Sequence, residues 1–290
     1  MIDDGLTDDF RALVGRELTA LGFTPTVWDG PQLKYHTSDG TEREVGTGNL
    51  FKRVKLNDPA ESAALVRDFL TNVTSVSSPE WKMPETLEEC ADRVLPRIGL
   101  PFAGAVKAPW SKPLPGADGL VLNLVVDFPT TMAYVTADMM TASATSPGDW
   151  LDRALANLTA ITKPDWLKPL RSEQGIFACH TTDSYDAARA LLLCELTGND
   201  PAGWLVAVPA RDWLFARKVE TIGVAHFHHL KVLAERAKEE QPYPISDTVY
   251  WVRPGKRWQE FRIEIADEKV RVYPPPEFVE VLNALSADGA

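Results

Sequence analysis

Gly203-Trp204-Leu205-Val206-Ala207-Val208-Pro209-Ala210-Arg211-Asp212-Trp213-Leu214-Phe215-Ala216 contains two apolar runs, Trp204–Val208 and Trp213–Ala216, parted by Pro209 and a short polar turn. Each run has the length and the β-branched or aromatic content of a buried strand. A gap this short closes a hairpin, because a parallel crossover needs a dozen or more residues. The reading therefore places antiparallel sheet at the centre of the chain. Around the hairpin the sequence predicts a helix at about 184–196 and another from about Glu220 to Lys238.

The same order of elements stands earlier. A helix is expected at 86–98, opened by the capping-box pattern Thr86-Leu87-Glu88-Glu89. It is followed by a run Leu120–Phe128, Pro129, a second run Met132–Val135, and a helix opened by Ser146-Pro147-Gly148-Asp149 and running to about Ile161. The order suggests one helix-hairpin-helix unit used twice, at 86–161 and 184–238, although the two stretches share almost no identity.

Further out, Phe10, Leu13, Val14, Leu18 and Leu21 recur at helical spacing, with Thr7 placed to cap the helix and Gly22 to end it. Three short extended runs at Thr24–Trp28, Gln32–His36 and Glu42–Val45, joined by Asp-Gly-Pro and Ser-Asp-Gly turns, read as a small meander. Gly46-Thr47-Gly48-Asn49-Leu50 lacks the full glycine and lysine pattern of a phosphate loop and reads as a turn. Asp58-Pro59-Ala60-Glu61 opens a helix to about Val73, and the polar stretch Ser75–Pro84 is a connector. Residues 101–118 are proline-rich and read as a long irregular loop. The C-terminal part holds a hairpin of Asp247–Val252 and Phe261–Ile265, a strand near Lys269–Val272 and a helix from Glu277. The fold expected is α+β, mainly antiparallel sheet with packed helices, in two parts: residues 1–78 and residues 85–290.

Composition narrows function by exclusion. Lys and Arg number 30 against 41 Asp and Glu, a net charge of −11 over 290 residues, which opposes attraction to nucleic acid or an anionic membrane. No apolar run of about 18 residues is present. Asp3 and Asp4 stand where a secretory signal carries positive charge, so a cytoplasmic protein is expected. Three cysteines without a Cys-x-x-Cys pair argue for reduced thiols, and no cofactor is expected.

The most suggestive chemistry lies in Thr181-Thr182-Asp183-Ser184-Tyr185-Asp186-Ala187, between an expected strand Ile176–His180 and the next helix. Asp183, Tyr185 and Asp186, joined by Asp212 from the hairpin turn, could serve acid-base work in one cleft. The structural reading is that Asp183 caps the helix and Asp186 favours its start. In His226-Phe227-His228-His229 only His226 and His229 share a helix face, which is too few ligands for zinc; ordinary helix histidines are the preferred reading. Cys179 and His180 are adjacent in a strand and point apart. Trp110 and Trp81, set in loops among prolines, together with Arg189 and Arg211, are candidates for binding a partner.

Thr182-Asp183-Ser184-Tyr185-Asp186-Ala187-Ala188-Arg189-Ala190-Leu191, followed by Gly203–Asp212, resembles the YtpQ-like bacterial family, a domain of unknown function. Its members carry a similar Asn-Asp-Gly-Tyr-Asp-Ala-Ser-Arg run and then Val-Ala-Val-Pro-x-x-Asp. Val94–Ile98, Ala154–Leu158, and Asn49–Phe51 with Asn57-Asp58 are similar to further segments, so the resemblance spans about residues 8–275. Where the family tends to have Gly this chain has Ser184, which argues against a left-handed backbone there. The resemblance implies a bacterial cytosolic protein and brings no activity with it. The expectation is a non-catalytic adaptor or inhibitor-like protein that binds a protein partner; the alternative is a hydrolase-type enzyme using the acidic cleft.

Overall fold

The structure, a computed structural model, describes residues 6–76, 84–102, 108–128, 131–171, 175–220, 223–266 and 269–288. The chain divides into two compact units: Met1–Met83 with Pro129–Thr131 and Glu240–Pro242, and Pro84–Phe128 with Met132–Glu239 and Tyr243–Ala290.

In the first unit α1 (Asp8–Ala20) starts where Thr7 Oγ1 accepts the Phe10 amide at 3.2 Å and stops at Gly22, whose φ is +88°. β1 (Thr24–Asp29), β2 (Gln32–His36) and β3 (Glu42–Gly46) form an antiparallel meander in that order. The segment expected to be a turn instead continues into α2 (Gly48–Leu56), because Thr47 is anchored by its amide and hydroxyl on the Pro31 carbonyl, both at 2.8 Å. A 3-10 turn with Asp58 as its cap leads into α3 (Ser62–Val76). Val14, Leu18, Leu33, Tyr35 and Leu70 are buried in a core of this unit's own.

The second unit holds two sheets. The smaller joins β4 (Val94–Gly99), β6 (Val121–Asp127) and β5 (Ser111–Pro113), with β7 (Met132–Tyr134) also paired to β6. The helix expected at 86–98 is replaced by a 3-10 turn at Glu88–Arg93 followed by β4. Pro96 cannot sit inside a helix, and Leu95 before it is biased to extended backbone. Pairing with the buried β6 then decides the matter. The loop expected across 101–118 likewise contains β5. Helices α4 (Ala137–Ala142) and α5 (Pro147–Ile161) come after β7, each capped by a hydroxyl, Thr136 and Ser146.

The larger sheet runs β14-β13-β12-β10-β11-β9-β8. Its strands are β8 (Lys168–Pro169), β9 (Phe177–Cys179), β10 (Trp204–Ala210), β11 (Trp213–Lys218), β12 (Val249–Val252), β13 (Gln259–Ala266) and β14 (Lys269–Tyr273), with α6 (Leu193–Leu196), α7 (Val224–Glu240) and α8 (Pro276–Asp288). Every strand pairing among the described residues is antiparallel, and the fold is α+β. β10 is buried along its whole length because both of its faces are covered. Val206 and Val208 pack with Ile98 and Leu122 of the smaller sheet, while Leu205 and Ala207 pack with Phe227 and Leu230 of α7 and Phe278 of α8. The duplicated unit is not seen: a strand stands where its first helix was expected, and the two hairpins belong to different sheets. Among the described residues no helix is long and apolar enough to cross a membrane.

Candidate functional site

The segment after β9 is built around one carboxylate. Asp186, wholly buried, accepts the amides of Thr181 and Thr182 at 2.9 Å each, the Thr181 hydroxyl at 2.7 Å and the Cys179 thiol at 2.9 Å. Drawing two successive amides onto one carboxylate turns the backbone left-handed, with φ of +62° at Thr182 and +76° at Ser184. The left-handed backbone that Ser184 argued against is therefore present. Asp183 Oδ1 accepts the Tyr185 amide at 3.0 Å, closing a local turn rather than capping a long helix. The chain then enters a 3-10 helix, Ala187–Leu191, and α6, in place of the continuous helix expected at 184–196.

Arg189 holds this loop from below. Its guanidinium, 2% exposed, donates to Asp183 through Nη1 at 2.9 Å and Nη2 at 2.5 Å, to Asp186 Oδ1 at 3.0 Å, and through Nε to the Thr162 hydroxyl at 3.1 Å. Burial by itself would lower the Arg189 pKa, but the hydrogen bonds and charge of Asp183 outweigh it and hold the pKa up; in return, against its own burial, Asp183 is held below the usual carboxylate range. Burial, with Asp186 beside it, pushes the Cys179 thiol up and so favours its protonated form. Arg189, expected among the partner-binding residues, is buried and committed to the loop.

Tyr185 is buried, and its hydroxyl donates to Asp127 Oδ1 at 2.8 Å. Burial and then the Asp127 charge raise the tyrosine pKa, while burial raises that of Asp127 against the pull of this hydrogen bond. The pair is a protonated phenol on a carboxylate at the end of β6.

The hairpin turn meets this loop through its backbone: the Ala187 amide donates to the Arg211 carbonyl at 3.1 Å. The side chains of the two motifs take different partners. Arg211 makes a fork to Asp212 through Nε (3.0 and 3.2 Å) and Nη2 (2.8 Å), and its guanidinium lies 3.7 Å from the Tyr243 ring centroid. His180 Nδ1 is 2.8 Å from the Asp212 carbonyl oxygen, and its ring stacks on Trp213 at 3.9 Å. Asp183 and Asp186 thus answer to Arg189, and Asp212 to Arg211.

Trp110 is half-buried, with its amide bonded to the Val135 carbonyl at 2.7 Å; Trp81 lies outside the described residues. His226 Nδ1 accepts the Gly223 amide at 3.0 Å at the start of α7, and burial, Arg217 and His229 lower its pKa. Among the described residues no group of three or more His, Cys, Asp or Glu is placed to hold a metal ion. Sequence reasoning missed Asp127 and Thr162. The only signal, for Asp127 alone, was a charge ending an apolar strand after Val121–Val126. Comparison of the chain with protein-family models, curated proteins and solved structures finds no match.

Proposed function

We propose that this chain is a non-catalytic binding protein of the bacterial cytoplasm, related to the YtpQ-like family, which engages a protein partner. The observation that supports the reading is the commitment of the motif acids. Asp183 and Asp186 are bound to Arg189 and backbone amides, and Asp212 is forked to Arg211. A general base needs a carboxylate free to meet a substrate proton, and a nucleophile needs an ionised or activated group. The two motifs spend their charge on shaping a loop. Leu100 and Phe102, each 54% exposed just beyond β4, and the half-buried Trp110 supply apolar surface of the kind that anchors a partner.

The test is capture by the tagged full chain from bacterial cytosol, with quantitative mass spectrometry, in parallel with Phe102→Ser and Trp110→Ser. A protein retained in stoichiometric amount by the parent chain and lost from either variant supports the reading. Equal retention by all three, or no stoichiometric protein with any, overturns it.

A further inference from the structure

β14 (Lys269–Tyr273) ends the larger sheet, and among the described residues it pairs with β13 alone. Ala266 lies opposite Lys269 with two residues between them, so this pair exchanges its amides and carbonyls at the turn, as does every second pair after it. Lys269, Arg271 and Tyr273 therefore spend their backbone groups on β13. Val270 and Val272 turn theirs away from the sheet. The opposite edge, β8, is blunted by its length of two residues and by Pro169. β14 has five residues, no proline and no break in its register.

The two faces at this edge differ in chemistry. On one, Ile263 and Val272 lie opposite each other and pack against the core that holds Phe261 and Phe278, while the next pair, Ile265 and Val270, leaves Ile265 42% exposed. On the other, Lys269, Arg271 and Tyr273 are all exposed. Glu264, opposite Arg271, accepts Arg262 at 2.5 Å on one oxygen and the Tyr273 hydroxyl at 3.1 Å on the other. β14 thus presents two cations and no acid along a row of open backbone groups. A second copy of the chain fits this edge poorly. Each copy carries a net charge of −11, and antiparallel registers centred on Val270 or Arg271 set Lys269 against Arg271 or Arg271 against itself. The register centred on Val272 brings Pro274 into the ladder.

We propose that the open edge of β14 binds an extended protein segment in which acidic and apolar residues alternate, taken up as an added strand. Its backbone pairs with the outward amides and carbonyls of Val270 and Val272, its acids lie beside Lys269 and Arg271, and its apolar side chains extend the row of Ile265 and Val270. The edge does not use Phe102 or Trp110, and its binding stands if that surface holds no partner.

Fluorescence anisotropy of a labelled peptide of alternating valine and glutamate, titrated with the full chain, tests it against the same peptide with lysine in place of glutamate. Saturable binding of the acidic peptide is expected, roughly tenfold or more tighter than that of the basic one. Val270→Pro removes one outward amide and leaves those that face β13 in place, and should weaken the binding roughly tenfold or more. Should that variant not fold, Lys269→Glu, on an exposed side chain, takes its place with the same expectation. No saturable binding, equal binding of the two peptides, or undiminished affinity in the folded variant overturns the site. A dimer in sedimentation that the same variant dissolves gives the edge to a second copy and overturns it too.

Discussion

Thr182 and Ser184 hold φ values of +62° and +76° because the Asp186 carboxylate draws the Thr181 and Thr182 amides inward. For a residue with a Cβ that conformation costs about 1–2 kcal/mol, while glycine's extra freedom when unfolded gives back about 0.5–1. Ser184→Gly should therefore raise stability by about 0.5–1 kcal/mol in urea unfolding, and a lowered midpoint would contradict the strain. Arg189→Met should do the reverse. It leaves Asp186 buried without its cation, and removing one partner of a buried pair costs about 3–5 kcal/mol. Asp183→Ala removes a partner whose side chain is 37% exposed and leaves Arg189 with Asp186, so about 1–2 kcal/mol is expected. An Arg189→Met loss no larger than that of Asp183→Ala would show that the loop does not depend on the buried pair. A structural use of Asp183 and Asp186 was legible but not its form, since they hold loop amides and Arg189 rather than start the helix expected at 184–196. Their common partner was less legible, because an arginine three or six residues on reads equally well as a surface residue.

The connection between β5 and β6 turns on Gly116, at φ +82°, where an added Cβ would lie 1.8 Å from the Trp258 carbonyl oxygen. The Trp258 amide donates to Pro115 beside it at 3.0 Å, so neither chain can give way. Gly116→Ala should cost at least about 3 kcal/mol, visible as a lowered melting temperature; a change within error would mean the two segments part readily. On α7, Lys231 and Lys238 both reach Asp247, each at 2.5 Å. Burial raises the Asp247 pKa, but the two ammonium groups outweigh it and hold it at about 2 against a usual 3.8. A depressed carboxylate contributes stability that is complete above the unfolded pKa. The contribution, at most about 2 kcal/mol, is lost as pH falls from about 4 toward 2. Asp247→Asn should flatten that acid limb of the stability curve, and an unchanged slope would count against the pairing. Helix starts such as Thr7, Asp58 and Ser146 were readable because a cap bonds an amide two or three residues away. β4 was not, since the capping box at Thr86 predicted a helix and only pairing with β6, about 25 residues later, outweighed it.

The two compact units bury separate apolar cores, one around Leu18, Leu33 and Leu70 and the other on both faces of the larger sheet. Leu18→Ala, which opens a cavity in the first unit's core, should cost about 2–5 kcal/mol in urea unfolding, and an unchanged midpoint would mean that this core contributes little. The sequence by itself determined the charge of −11, the hairpin of Trp204–Val208 and Trp213–Ala216, and the α+β class. Each rests on composition or on contacts between near neighbours. Only the tertiary structure decided which charges meet. Tyr185 reaches Asp127 across 58 residues and Arg189 reaches Thr162 across 27. Pairing between distant charges is settled by how sheets stack and turns approach, and no local pattern of residues encodes that distance.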